Sequence, residues 1–105
     1  MARVPYIKRE DLKESHQGIY DNIAKTRGNV SNVFSALLNN PDATKAVTTV
    51  GEYIRYNSPL DPIIRETAIL TTAHEMKNSY EWAQHEPVAR QVGVRDEVIK
   101  SILSG

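Results

Sequence analysis

The sequence contains no cysteine. That absence excludes disulfides, thiolate nucleophiles, thiol redox cycling and cysteine metal ligands, and it removes the usual mark of an oxidising compartment. Long apolar runs are missing as well; none approaches the roughly 20 residues that span a bilayer. The polar start, Met1 to Glu10, lacks the apolar stretch of a signal peptide. A soluble, cytoplasmic protein is the expectation. Charge of one sign is also lacking, because 13 basic and 13 acidic residues cancel. A balanced chain offers no electrostatic footprint for nucleic acid or an anionic membrane. No glycine-rich phosphate loop, serine nucleophile motif, repeat or low-complexity tract is present.

What is there is helical spacing. A length of 105 residues fits one domain, with N-terminal helices over 1–58 and core motif helices over 59–103. No segment keeps a period-two alternation, so the fold class is all-α, a bundle of about six helices. The first helix is predicted from Asp11 to Arg27, with Leu12, His16, Ile19, Tyr20 and Ile23 on one stripe and Gly28 as its stop. Ser31 is expected to cap a short second helix carrying Val33, Phe34, Leu37 and Leu38. Asn40-Pro41 reads as the cap and first position of a third, whose inner stripe is predicted as Ala43, Ala46, Val47, Val50 and Ile54. Asp61-Pro62 starts a fourth helix that runs to Met76 or Lys77. A fifth runs from Asn78 or Ser79 to Val92, and Pro87 inside it is expected to kink or split it after His85. Asp96 to Leu103 forms the sixth, presenting Val98, Ile99, Ile102 and Leu103. Its end at Ser104-Gly105 looks like a truncated or processed product. So small a domain buries a modest fraction of its surface, and some apolar surface is expected to meet another subunit.

Chemistry concentrates on the fourth and fifth helices. Glu66 falls in the middle of an apolar face with Ile63, Ile69, Leu70 and Ala73. A carboxylate there is costly unless paired, hydrogen-bonded or protonated. It serves either a site or a structural salt bridge to an arginine of another helix. Arg65 and Glu75 point elsewhere and read as solvated charges. Glu81 and His85 are four apart and therefore neighbours, and a carboxylate beside an imidazole makes a general acid/base. Alternatively, Asn78 and Glu81 have capping-box spacing and tie down the helix start. His74 faces inward and either lines the same cavity as Glu66 or packs in the core; His16 has the same ambiguity on the first helix. A metal site from His74, His85 and Glu66 uses ordinary ligand types, but the spacing lacks the two-histidine helical motif, so no metal is expected. Tyr80 and Trp82 are packing residues or pocket walls.

The order of these residues resembles the carboxymuconolactone decarboxylase family, which has the alkylhydroperoxidase D-like fold. The stretches are Pro62-Ile63-Ile64-Arg65-Glu66-Thr67-Ala68-Ile69-Leu70, then Asn78-Ser79-Tyr80-Glu81-Trp82-Ala83-Gln84-His85, then Val88-Ala89-Arg90-Gln91-Val92-Gly93. The likeness is strongest over Leu60 to Ile102. Tyr20-Asp21 and Asn32-Val33-Phe34 ahead of the Pro41 start resemble the longer members, which continue into further helices. In the peroxidase branch a CxxC pair opens the helix that carries the histidine; those positions correspond here to Asn78 and Glu81, so thiol-dependent hydroperoxide reduction is excluded. The decarboxylase branch implies a cofactor-free lyase acting on a small lactone or organic acid. Its resemblance implies His85 as acid/base, with Glu66 or Glu81 orienting it, and His74, Asn78, Tyr80 and Trp82 at the substrate pocket. It also implies a homo-oligomer, trimeric or hexameric. A non-catalytic helical oligomerisation or ligand-binding module is the alternative.

Overall fold

The computed structural model describes residues 2–105. They fold into two compact units, Met1–Ser58 and Pro59–Gly105, and the architecture among the described residues is entirely helical.

In the first unit a short 3-10 turn, Arg9–Asp11, precedes helix α1, Glu14–Arg27. The helix thus begins later than the predicted Asp11. The Asp11 carboxylate accepts from the Lys8 N–H at 2.9 Å, which commits it to closing the turn. Leu12 follows in extended backbone and lies outside the helix. Gly28, at φ 83°, ends α1 in the left-handed conformation that glycine tolerates without a Cβ penalty. Helix α2, Asn32–Leu37, starts after Ser31, whose backbone has the extended cap geometry but whose side chain makes no capping bond. The segment ahead of α1 is tied to α2 by Ile7 N–H donating to Ser35 O at 3.0 Å. Asn39 Nδ2 adds a bond to Pro5 O at 2.8 Å.

Helix α3, Pro41–Glu52, begins as its sequence predicts, with Asn40 Oδ1 accepting from the Ala43 N–H at 3.1 Å. Its buried face is not the predicted one. Thr44 and Thr48 are buried, whereas Val47, Val50 and Ile54 are 51%, 59% and 46% exposed; Ala43 and Ala46 are exposed as well. The threonines bury their hydroxyls without loss because each donates to a backbone carbonyl one turn earlier, Thr44 to Asn40 O and Thr48 to Thr44 O, both at 2.8 Å. With Ile23 and Leu38 they form the interior of this unit. Beside it the Arg27 guanidinium stacks over the Phe34 ring, 4.5 Å from its centroid. Burial lowers the Arg27 pKa from its ordinary value. A π-helical turn, Tyr53–Asn57, closes the unit, with Ser58 N–H bonded to Tyr53 O at 2.7 Å.

The second unit holds helices α4, Pro62–Glu75, α5, Ser79–Val92, and α6, Asp96–Leu103. Asp61 caps α4 through a 2.8 Å bond from the Ile63 N–H. The turn from α4 to α5 is very short. Lys77 N–H donates to His74 O and Asn78 N–H to Ala73 O, at 3.0 and 2.8 Å, the bond pair of a Schellman motif. The motif needs a left-handed residue after the helix, and here that residue is Lys77 at φ 54°. A Cβ in that conformation costs about 1–2 kcal/mol. Asn78 then caps the next helix by accepting from the Glu81 N–H at 3.0 Å. One residue therefore ends α4 and begins α5, which fixes how the two helices face each other.

Helix α5 runs unbroken through Pro87, so the predicted split does not occur. The carbonyl deprived of its donor belongs to Ala83, which is exposed, as is Pro87, so water can take the missing place. Leu70, Ala89, Val94 and Ile99 form the core of this unit, flanked by Trp82, Val92, Val98 and Ile102. On α6, Ile99 is buried while Leu103 remains 51% exposed. Asp96 joins α6 to α5, accepting from Arg90 at 3.0 Å and pairing with Lys100 at 2.9 Å. Hydrogen bonds from Lys100 and Arg90 hold its carboxyl below the ordinary carboxylate range. Among the described residues no helix is long and apolar enough to cross a membrane.

Candidate active site

The buried stripe of α4 is Glu66, Leu70 and Ala73. A carboxylate at 1% exposure thus occupies the position of a core leucine. Such a group must find partners, and it finds two. Oε1 lies 2.6 Å from His85 Nδ1 on α5. Oε2 accepts from Arg65 Nε at 2.7 Å. Each oxygen thus meets a different nitrogen.

Arg65 departs from the sequence expectation. It was predicted to point into solvent, yet its side chain is only 12% exposed and pairs with its neighbour in sequence. Successive residues on a helix stand about 100° apart and do not normally face each other. The long arginine stem bridges that angle by running along the helix surface. The structural alternative for Glu66, an arginine from another helix, is therefore replaced by an arginine from its own.

His85 links two carboxylates. Its Nε2 approaches Glu81 Oε1, one turn earlier on α5, at 3.2 Å. This is ion-pair distance, and the shorter contact is the one at Nδ1. With Nδ1–H donating to Glu66, Nε2 is the nitrogen that faces Glu81. With the imidazole protonated, Arg65, Glu66, His85 and Glu81 cancel to zero net charge. The side chain of His85 is 15% exposed and that of Glu81 is 39%. The array therefore runs from a buried carboxylate outward to a half-exposed one.

Asn78 and Glu81 keep only half of a capping box. Asn78 caps the helix, but the Asn78 N–H is bonded to Ala73 O, which frees the Glu81 carboxylate to turn toward His85. The cap and the acid/base pair are both realised, by different atoms.

Beside Glu81 lies a pocket of about 320 Å³. Helix α4 supplies Ala68, Ile69, Thr72 and Ala73 to its wall, the turn supplies Met76 and Asn78, and α5 supplies Glu81. His74, Tyr80 and Trp82 are not among the lining residues. His74 instead packs edge-on against Trp82, with ring centroids 6.2 Å apart, and Tyr80 is 40% exposed. His74 is thus not brought to Glu66. Among the described residues no group of three His, Cys, Asp or Glu side chains is placed to hold a metal ion. His16 lies in the other unit, where Nε2 is 3.7 Å from the exposed Asp42 carboxylate.

A family model, that of the carboxymuconolactone decarboxylase family, matches residues 41–105. The chain belongs to that family. The match covers α3 through α6, so it begins earlier than the Leu60 to Ile102 stretch in which the sequence resemblance is strongest. No curated protein and no solved structure matches the chain significantly. Within the carboxymuconolactone decarboxylase family this member is cysteine-free. The positions that resemble the peroxidase branch's cysteine pair carry the α5 cap, Asn78, and the His85 partner, Glu81. A thiol cycle has no sulfur to run on here.

Proposed function

We propose that this chain works as a cofactor-free, lyase-type acid/base enzyme acting on a small lactone or organic acid. The reading rests on one observation, the 2.6 Å contact between buried Glu66 and His85 Nδ1. A carboxylate held in a poorly hydrated place fixes the ring's tautomer and orientation. That leaves Nε2 to exchange a proton with Glu81 at the edge of the pocket. Positioned proton transfer of this kind contributes roughly 10²–10⁴-fold to a rate. The family's decarboxylase branch needs the same elements, an acid/base and a pocket that sheds water.

The test is deuterium incorporation next to the carbonyl of a panel of γ-lactones and keto acids in heavy water. His85→Ala should lower the rate of any substrate that the native protein turns over by about 10²–10⁴-fold. Undiminished exchange in that variant would remove His85 from the chemistry.

The oligomerisation reading has its own support. Val47, Val50, Tyr53 and Ile54 expose an apolar face of α3 and its following turn, and scattered exposure does not produce such a stripe. We infer that this face joins copies of the chain into a trimer or hexamer. Sedimentation of the Val47→Asp/Val50→Asp double variant should give a smaller assembly than the native chain; a monomeric native chain would refute the inference.

A further inference from the structure

We infer that Arg27, flanked by Arg55, forms a binding site in the first unit for a small monocarboxylate with an apolar body. The site goes beyond the acid/base reading, whose residues all belong to the second unit. It also stands outside the family match, because Arg27 and Phe34 precede residue 41, where that match begins.

The observation that carries the site is a guanidinium without an acceptor. Arg9, Arg65, Arg90 and Arg95 each pair with a carboxylate. Arg27, the last residue of α1, does not. It is half-buried over the Phe34 ring, yet among the described residues it has no hydrogen bond and no ion pair. A guanidinium presents five N–H donors, and burying them unmet is costly. The ring takes up a face of the group and leaves its N–H edge to be satisfied. Among the described residues no side-chain nitrogen is both sealed from solvent and unpartnered, so a dissolved ligand can reach that edge.

The surroundings suit one negative charge. Gly51 on α3 keeps the place open, since a Cβ there would stand 3.1 Å from Arg27 Nη2, closer than an ordinary van der Waals contact. Four residues further on, the Arg55 guanidinium lies over the Tyr56 ring, 5.6 Å from its centroid. Its charge is felt at Arg27. Burial is the largest cause that lowers the Arg27 pKa; Tyr56 opposes it, Arg55 adds to it and Glu52 opposes it least. A tyrosine hydroxyl carries no charge at neutral pH. Two guanidiniums and one carboxylate then leave a single positive charge in excess, which a monocarboxylate balances and a phosphate dianion exceeds. The guanidinium fork matches a carboxylate with two parallel hydrogen bonds. The exposed ring of Tyr56 is the apolar wall for the rest of the ligand.

Benzoate, its neutral analogue benzamide and inorganic phosphate test this, each titrated at millimolar concentration and fixed ionic strength into the full labelled chain. The Arg27 Nε–H, Gly51 amide and Phe34 ring NMR signals report binding. Benzoate should shift them saturably and bind at least about tenfold more tightly than benzamide or phosphate. Arg27→Lys keeps a charge and a long stem but loses the fork, and it should weaken benzoate by about tenfold. Arg55→Gln should weaken it by about threefold, as loss of a partly exposed charge does. If Arg27→Lys fails to fold, Arg55→Gln and the ranking of probes on the native chain decide. Equal or tighter binding of benzamide or phosphate to the native chain overturns the inference, as does binding of no probe. Benzoate shifts confined to the second unit overturn it too, and so does unchanged benzoate affinity in the two variants.

Discussion

Replacing Glu66 with alanine is expected to lower folding stability by about 3–5 kcal/mol, the usual consequence of removing one partner from a buried ion pair. The side chain is 1% exposed and its two oxygens meet different groups, Arg65 Nε and His85 Nδ1. Alanine would take the carboxylate away from both. The Arg65 guanidinium stays charged in proteins whatever stands beside it. At 12% exposure the Arg65 side chain would then keep its charge in a largely buried place without that carboxylate beside it. Glu66→Gln separates charge from shape. It keeps the volume and can still accept from one neighbour, so the loss should be nearer 1–3 kcal/mol, the desolvation penalty of imperfectly met polar groups. Urea denaturation of the three proteins gives the comparison. If alanine and glutamine cost the same small amount, the carboxylate is not the hub of the array, and the position is tolerant of whatever fills it.

The same residues show which parts of the molecule could be read from sequence. Caps were legible at Asn40, Asp61 and Asn78, because a short polar side chain next to proline or ahead of an apolar stripe has a local bond to make. Glu66 was legible for the opposite reason: nothing local explains a carboxylate in an apolar stripe, so a tertiary partner had to exist. Arg65 was not, because helical spacing alone places neighbours in sequence on different faces and takes no account of a long stem folding back. Thr44 and Thr48 were missed on α3 because hydrophobic patterning ranks valine above threonine as a core residue. Threonine can cancel its polarity against the carbonyl four residues earlier, and here it does so twice. The helix is then free to turn its valines outward. That choice sets the exposed apolar face on which the assembly proposal depends. The pocket was legible only in part, since Asn78 and Glu81 line it while Ala68, Ile69, Thr72 and Met76 carry no chemical signature that a sequence would flag.

Leu70→Ala should be the most damaging apolar substitution in the second unit, at about 2–5 kcal/mol. Leu70 is fully buried, at 0% exposure, one turn beyond Glu66 on the same stripe of α4. Its contacts include the side of α5 that carries Ala89, one turn beyond His85, and α6 through Ile99. Truncation would leave a hole where three helices meet, and a unit of this size has few other buried side chains with which to refill it. Leu103→Ala is the matched control, because that leucine is 51% exposed and its loss should lie within about 0.5 kcal/mol of neutral. The consequence reaches the chemistry. The Glu66–His85 contact is held by how α4 and α5 pack, with the short Lys77-Asn78 turn fixing one end and Leu70 the middle. Leu70→Ala should therefore lengthen or break that contact even at temperatures where helix content survives, which the His85 ring NMR signals would report. An unchanged ring environment in a clearly destabilised variant would mean that the turn alone sets the geometry.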